Sequence, residues 1–332
     1  MKSIRIATLA AAAAAASLVL AACDSAEGDN DAGENAGGES VSIGITQIID
    51  HPSLNAAADG FKEALADAGF DVEYDEQNAQ GDQSVAASIA GRLADADLDM
   101  ILAIATPTAQ AASQAITDIP VLFTAVTDPV SAGLVDSNDA PGANVTGTSD
   151  RNPVAEQLQL ILDLAPDTET VGIVYSSAEP NSEIQVEWAE EAAAELGLTI
   201  EKVTVSTSSE VQQASESLDV DAYYVPTDNT VVSALETLLG VAEDRQVPVV
   251  VGEGDSVVRG GVATYGISYF DLGYQTGEMA VRILNGEAEP ATMPVETQDE
   301  LLVYLNLGAA DRMGVEIPQE LIDRALPENI TE

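Results

Sequence analysis

The chain is poor in the residues that chemistry most often uses. Its 332 residues include one cysteine, one histidine, one tryptophan and 11 Lys and Arg. A lone cysteine, Cys23, permits no disulfide within the chain. A lone histidine, His51, leaves nucleophilic and metal chemistry few parts to work with. No Gly-x-Ser-x-Gly, P-loop or His-Glu-x-x-His segment occurs, and the bare Gly252-Glu253-Gly254 is weak as a dinucleotide signal. No enzyme activity, cofactor or metal is therefore expected. Against 11 bases stand 57 acids, a formal net charge of −46. Phosphate binding needs Lys and Arg, so nucleic acid is excluded as a partner. The acids are spread along the chain, as suits a solvated surface in high external salt. After the N-terminus no segment offers the ~18 continuous apolar residues that a membrane span needs.

What is present begins with a targeting segment. Lys2 and Arg5 form a short positive region, and Ile6 to Val19 an Ala-rich apolar one. Leu20-Ala21-Ala22-Cys23 resembles the lipobox of bacterial lipoproteins, whose cysteine takes the lipid. Residues 1–22 are expected to be a signal peptide and Cys23 the lipidation site. Asp24 to Ser40 contains no Ile, Leu, Val or aromatic residue, so residues 23–40 read as a disordered acidic tether.

The body is a duplicated unit. Strand-like and helix-like stretches alternate from Val41 to Phe123 and again from Val171 to Val251. Gly69-Phe70 corresponds to Gly197-Leu198, Asp99 to Asp221, and Ile119-Pro120-Val121 to Val247-Pro248-Val249. Helices are expected over Ala56–Ala68 and Glu183–Leu196, each stopped by a glycine, and over Thr230–Ala242. Alternation of this kind gives α/β lobes with doubly wound parallel sheets. Three crossing strands, beginning at Asn144, Val262 and Leu301, would join the lobes as a hinge. Lobe 1 is expected at 41–148 plus 271–293, and lobe 2 at 149–270 plus 294–332.

Ligands of open α/β sheets sit beyond the carboxyl ends of the strands. Those ends supply Thr46, Gln47, His51, Thr106, Thr108, Thr127 and Asp128 from the first lobe. The second supplies Tyr175, Asn181, Ser182, Thr227, Asp228, Asn229 and Glu253, with Asp150 and Asp271 at crossings. The set holds hydroxyls, amides and carboxylates but no Lys or Arg, which suits a zwitterion better than a phosphate or dicarboxylate. The ligand's carboxylate can take helix N-terminal N–H groups near Thr106–Thr108 or Asn181–Ser182. Its ammonium can take Asp228, with Glu253 or Asp150 as competitors. Thr106 and Ser182 can equally be plain N-caps, and Asp228-Asn229 a turn and cap. His51 reads as cleft wall rather than catalytic base, and Trp188 as core or surface cover.

Several segments in order carry a family resemblance. They are Gly44-Ile45-Thr46-Gln47 with His51-Pro52, Ala105-Thr106-Pro107-Thr108-Ala109-Gln110, and Thr127-Asp128-Pro129 with Ala132-Gly133-Leu134-Val135. Asn144-Val145-Thr146-Gly147-Thr148-Ser149-Asp150, Pro226-Thr227-Asp228-Asn229 and Leu272-Gly273-Tyr274-Gln275-Thr276-Gly277 complete the set. Residues 41 to about 326 resemble the ABC-transporter substrate-binding proteins that include the TrpX-type, tryptophan-binding lipoproteins. The resemblance implies a type I periplasmic-binding-protein fold. It also implies delivery of a small molecule to an ABC permease and its ATPase; with the lipobox, the chain is expected to be a monomer lipid-anchored outside the cytoplasmic membrane. An amino acid, aromatic in the first instance, is the expected ligand. A ligand sensor that presents its closed form to a membrane receptor is the alternative. The sequence departs from many relatives at Ser176-Ser177-Ala178-Glu179, where they carry a glycine after the strand.

Overall fold

The computed structural model describes residues 40–298 and 300–332; the signal peptide, Cys23 and all but the last residue of the tether lie outside them. The first half runs β1 (Val41–Gln47), α1 (Pro52–Asp67), β2 (Val72–Asn78), α2 (Gln83–Ala94), β3 (Met100–Ile104), α3 (Thr106–Ala115), β4 (Val121–Thr124) and β5 (Val145–Ser149). The second runs α4 (Val154–Leu164), β6 (Thr170–Tyr175), α5 (Pro180–Leu196), β7 (Thr199–Thr204), α6 (Val211–Ser217), β8 (Ala222–Val225), α7 (Asn229–Val232), α8 (Leu235–Arg245), β9 (Val249–Val251), α9 (Gly254–Val258) and β10 (Ala263–Gly266). Then come α10 (Tyr269–Leu284), β11 (Glu296–Thr297), β12 (Leu302–Asn306), α11 (Leu307–Met313), α12 (Gln319–Arg324) and β13 (Ile330–Thr331).

The strands form two sheets. A six-stranded sheet has the order β11-β5-β4-β3-β1-β2 and a seven-stranded one β13-β12-β10-β9-β8-β6-β7. All pairings are parallel except β10 with β12. Each sheet carries its own core of buried Ile, Leu, Val and aromatic side chains. The expected α/β fold of two doubly wound lobes is what the chain forms.

The duplication reaches single hydrogen bonds. Asp99 Oδ2 accepts the Ser42 N–H at 2.8 Å, and Asp221 Oδ2 accepts that of Thr170 at 2.9 Å, pinning the first strand of each lobe. Ile101 N–H donates to Pro120 O, and Tyr223 N–H to Pro248 O, both at 2.9 Å. Helix α10 returns to lobe 1 and lies against α1 at backbone distance. A Cβ on Gly273 would stand 1.9 Å from the Ala57 carbonyl oxygen, so that position has room for glycine alone.

Several boundaries differ from expectation. Helices α1 and α5 start at Pro52 and Pro180, not at Ala56 and Glu183. Proline lacks only an N–H that a first helical turn leaves unbonded anyway, so it opens both helices. This makes His51 and Glu179 the N-cap residues. The expected helix over Thr230–Ala242 is broken at Ser233–Ala234 into α7 and α8. The hinge is not made of strands. β5 and β11 pair in the first sheet and β10 and β12 in the second. The chain therefore crosses between Ser149 and Val154, between Gly266 and Tyr269, and after Thr297. Lobe 1 consequently extends through Thr297 rather than stopping at 293.

Candidate functional site

The carboxyl ends of both sheets converge on a cavity between the lobes. His51, Leu54, Ala125, Thr127, Asp150, Asn181, Thr227, Asn229, Val232, Glu253 and Tyr269 line it. Most of these residues follow a strand or lie in the first turn of a helix, so the fold itself delivers them.

Asp150 is the best-positioned carboxylate. It follows β5 at the first crossing and is 3 % exposed. Thr127 Oγ1 donates to its Oδ1 at 3.1 Å and Tyr269 Oη to its Oδ2 at 2.5 Å. One hydrogen bond to each oxygen fixes the carboxylate and leaves lone pairs for a cation. Burial pushes its pKa up, against the two hydroxyls that hold it down. Burial and the Asp150 charge also raise Tyr269 well above the usual phenol range, so Tyr269 stays a donor. Glu253 is the second lining carboxylate and the N-cap of α9. It accepts the Ser256 N–H at 3.1 Å, and burial raises its pKa while Ser256 and Ser53 lower it.

Asp228 stands differently from its expected role. It is fully buried, does not line the cavity, and caps α7. Its Oδ1 accepts the Val231 N–H at 2.8 Å and its Oδ2 the Ser176 N–H at 2.6 Å. Burial and the neighbouring Glu179 charge raise its pKa. Its carboxylate is engaged in holding the turn, so it is no ammonium acceptor in this arrangement. Ser182 packs behind it and lowers that pKa, which makes Ser182 a supporting residue. Asp271 is also outside the cavity: it is exposed in the first turn of α10, and Tyr269, two residues earlier, faces the site instead.

The expected residues of lobe 1 divide in two. Gln47 Nε2 donates to Ile49 O at 2.7 Å and to Asn55 Oδ1 at 2.9 Å, and Thr108 Oγ1 to Ile104 O at 2.5 Å, so both are structural. Thr46 Oγ1, His51 Nδ1 and Thr106 Oγ1 are buried without a hydrogen-bond partner. Thr106 is thus not the N-cap of α3. Ala105 holds that position at φ 80°, with no side-chain cap. Ala125, after β4, has φ 56°. Such angles are costly for alanine and collect at functional sites. In lobe 2, Asn181 and Thr227 line the cavity, with Asn181 Nδ2 donating to Thr227 O at 3.1 Å. Asn229 lines it too, with its side chain hydrogen-bonded to His51.

Three residues escaped the sequence reading. Tyr269 sits inside a stretch taken for a crossing strand. Glu179 was placed in a loop, but its carboxylate accepts from the N–H groups of Asn229 at 3.1 Å and Thr230 at 3.0 Å. Arg259, beyond α9, brings a cation near a cleft expected to have none. It pairs with Glu236 at 2.7 Å, leaves Nη1 buried without a partner, and its charge helps lower His51. Nothing in the sequence around Arg259 signals that position. Trp188 lies outside the cleft, stacked under the Arg151 guanidinium at 4.1 Å. Among the described residues no group of His, Cys, Asp or Glu is arranged to hold a metal ion. Nor is any described helix long and apolar enough to cross a membrane.

Two hinged α/β lobes with a buried polar cavity between them define a solute-binding protein of the type I periplasmic class. Residues 42–328 match the family described as ABC transporter substrate binding protein, and the chain belongs to that family. The family carries substrates and is not one of enzymes. The chain is 40% identical over 315 residues to a tyrosine-binding protein of Clostridioides difficile (strain R20291), covering 92% of this chain and 91% of that one. A structure from Streptococcus pneumonia in complex with L-Trp is 36% identical, with TM-score 0.84, over 88% of this chain and 100% of that one. A ligand-free, open substrate-binding protein with adhesive properties from Clostridium difficile is 42% identical over 88% of this chain and 98% of that one, yet its TM-score is 0.66. The relative more alike in sequence is less alike in shape. The lobes of the present chain thus stand closer to the L-Trp-bound arrangement than to the open one.

Proposed function

We propose that the chain is an extracytoplasmic carrier of an amino acid, aromatic in the first instance, that delivers its cargo to an ABC permease. The observation that carries this reading is the division of charge across the cavity. On the lobe 1 side, α1 and α3 begin at His51 and Ala105 with no side-chain cap, and the Thr106 hydroxyl nearby has no partner. Uncapped helix N-termini attract a carboxylate. On the other side stand the buried carboxylates of Asp150 and Glu253, which suit an ammonium. A zwitterion bridging the two satisfies both sets and holds the lobes together, so that binding energy favours closure. The names of the tyrosine-binding and L-Trp-bound relatives support an aromatic side chain.

Cys23 is the proposed lipid attachment point, and residues 24–40 the tether that lets the body reach a permease. Calorimetric titration of the mature protein with single amino acids tests the ligand. Saturable binding of tyrosine or tryptophan is expected. Binding of a sugar or nucleoside with no response to any amino acid overturns the assignment. Labelling with a radioactive fatty acid, lost in Cys23→Ser, tests the anchor.

A further inference from the structure

The start of the first crossing is zipped to the loop after β4. Asp150 N–H donates to Val126 O at 3.3 Å, Ser149 Oγ to Thr127 O at 3.0 Å and Thr127 Oγ1 to Asp150 Oδ1 at 3.1 Å. Arg151 stands one residue beyond, and its own N–H donates to Ser149 Oγ at 3.2 Å. The backbone as far as Arg151 is thus fixed to lobe 1. The guanidinium reaches further. Its Nη1 pairs with Asp128 Oδ2 of lobe 1 at 3.5 Å, and the group lies over the Trp188 ring on α5 of lobe 2, 4.1 Å from the ring centre. Between the two bodies lie Asn152 and Pro153, which belong to no helix or strand. One side chain therefore crosses the pivot on its outer side, while the neighbouring Asp150 carboxylate faces the cavity on the inner side. Helix α5 meets lobe 1 at a second place: Gln83 Nε2, at the start of α2, donates to Ala178 O, just ahead of α5, at 2.6 Å. Asn181, in the first turn of α5, lines the cavity.

We propose that Arg151 is a positioning residue for ligand retention, a strut from Asp128 to Trp188 that favours the closed lobes and slows ligand release without touching the ligand. The proposal rests on the carrier reading of the cavity. Rotation about Asn152-Pro153 carries Trp188 away from a guanidinium that stays with Asp128, so opening breaks the stack. The ion pair is weak by itself, because the Arg151 side chain is 58 % exposed. The stack adds to it, since a guanidinium is planar and weakly hydrated and lies well on an indole face. A zwitterion has no net charge to steer, so the strut acts on release and not on capture.

The test compares wild type with Arg151→Gln, using radiolabelled L-tyrosine as the probe. Arg151→Gln is expected to release tyrosine about fivefold faster, the summed scale of an exposed ion pair and a cation–π stack, with an unchanged association rate. Trp188 is the only tryptophan in the chain, so its emission reports on the strut directly. Tyrosine binding should shift that emission in wild type and leave it unshifted in Arg151→Gln. Arg151→Lys keeps the charge opposite Asp128 but loses the planar stack, and release about twofold faster than wild type is expected. It also serves as the test variant should Arg151→Gln fail to fold. Equal release rates in the folded proteins overturn the strut, as does a lower melting temperature with unchanged release, which would make Arg151 a cover for lobe 2 alone. If wild type binds no amino acid, the amino-acid reading falls and the strut is decided without ligand. Small-angle X-ray scattering should then give Arg151→Gln the larger radius of gyration, and equal radii overturn the strut.

Discussion

The two lobes are copies in topology and opposites in chemistry. At three matching strand ends lobe 1 places His51, Ala105 and Ala125, whereas lobe 2 places Glu179, Asp228 and Glu253. The three carboxylates are 5 %, 0 % and 2 % exposed, and each accepts helix N-terminal N–H groups within its own lobe. These carboxylates hold the starts of α7 and α9, whereas α1 and α3 of lobe 1, like α5 of lobe 2, begin without a side-chain cap. The duplicated fold thus made an asymmetric site without changing its strand order. Lobe 1 also holds the positive-φ residues Ala105 and Ala125 and the unpartnered Thr46, His51 and Thr106 side chains.

The comparison can be broken most severely at Asp228. Asp228→Ala leaves the N–H groups of Ser176 and Val231 buried without acceptors, and about 3 kcal/mol of stability should be lost. Thermal denaturation of wild type and variant measures this. A melting temperature within a degree of wild type would show that the capping is not structural. Asp150→Asn comes next, with the opposite signature. The melting temperature should change little, while amino-acid affinity falls by about 50-fold, the scale of a lost charged hydrogen bond. Equal loss of affinity in Asp228→Ala and Asp150→Asn would erase the distinction between capping and cavity-lining carboxylates.

The third prediction concerns pH. Burial, foremost, lowers the His51 pKa from 6.5 to about 4, with Arg259 adding to the effect and Asn229 and Asp50 opposing it. A histidine that opens to solvent returns toward 6.5, so between pH 6.5 and 4 the proton is taken by the open form alone. Closure contributes fully above pH 6.5 and weakens as pH falls toward 4. Asp150 and Glu253, whose pKa values burial raises, work in the opposite direction, since their protonation eases closure as pH falls. The difference between wild type and His51→Gln isolates the histidine. At pH 5 the wild type should lose about tenfold more affinity, relative to pH 7.5, than the variant. Superimposable pH profiles would remove His51 from the switch. The smallest effect is expected at Thr106→Val. Removing an unpartnered hydroxyl should leave stability unchanged and weaken binding by roughly fivefold. A loss of stability instead would mean that Thr106 serves the lobe rather than the ligand.

Much of this was legible in the sequence. The duplicated pattern of Gly69-Phe70 with Gly197-Leu198, and Asp99 with Asp221, gave both lobes because strand and helix periodicities and turn residues are local properties. The strand-end rule brought out Thr127, Asp150, Asn181, Thr227, Asn229 and Glu253, all of which line the cavity. Thr46, Gln47, Thr106, Thr108, Ser182, Asp228 and Asp271, which it also brought out, do not line that cavity. Whether a carboxylate at a strand end faces the ligand or turns back to cap its own helix depends on a rotation of one residue. It also depends on which N–H groups lie within reach, and neither is a property of spacing. Tyr269 was missed for a related reason. A chain that leaves β10 and bends into α10 gives no periodic signal at the bend, yet the bend aims its hydroxyl at Asp150.

From residues alone this reads as a duplicated α/β protein rich in acids, with few catalytic parts and polar strand ends. These follow from composition and short-range pattern, which survive any arrangement of the lobes. Which carboxylates are free and which helix ends stay uncapped is set by the folded arrangement. Each of those depends on partners far apart in the chain: Thr127 with Asp150, Ser176 with Asp228, Glu179 with Asn229. Charge and hydrogen bonding act through space, and in a buried site the presence or absence of one partner decides whether a group serves the fold or the ligand.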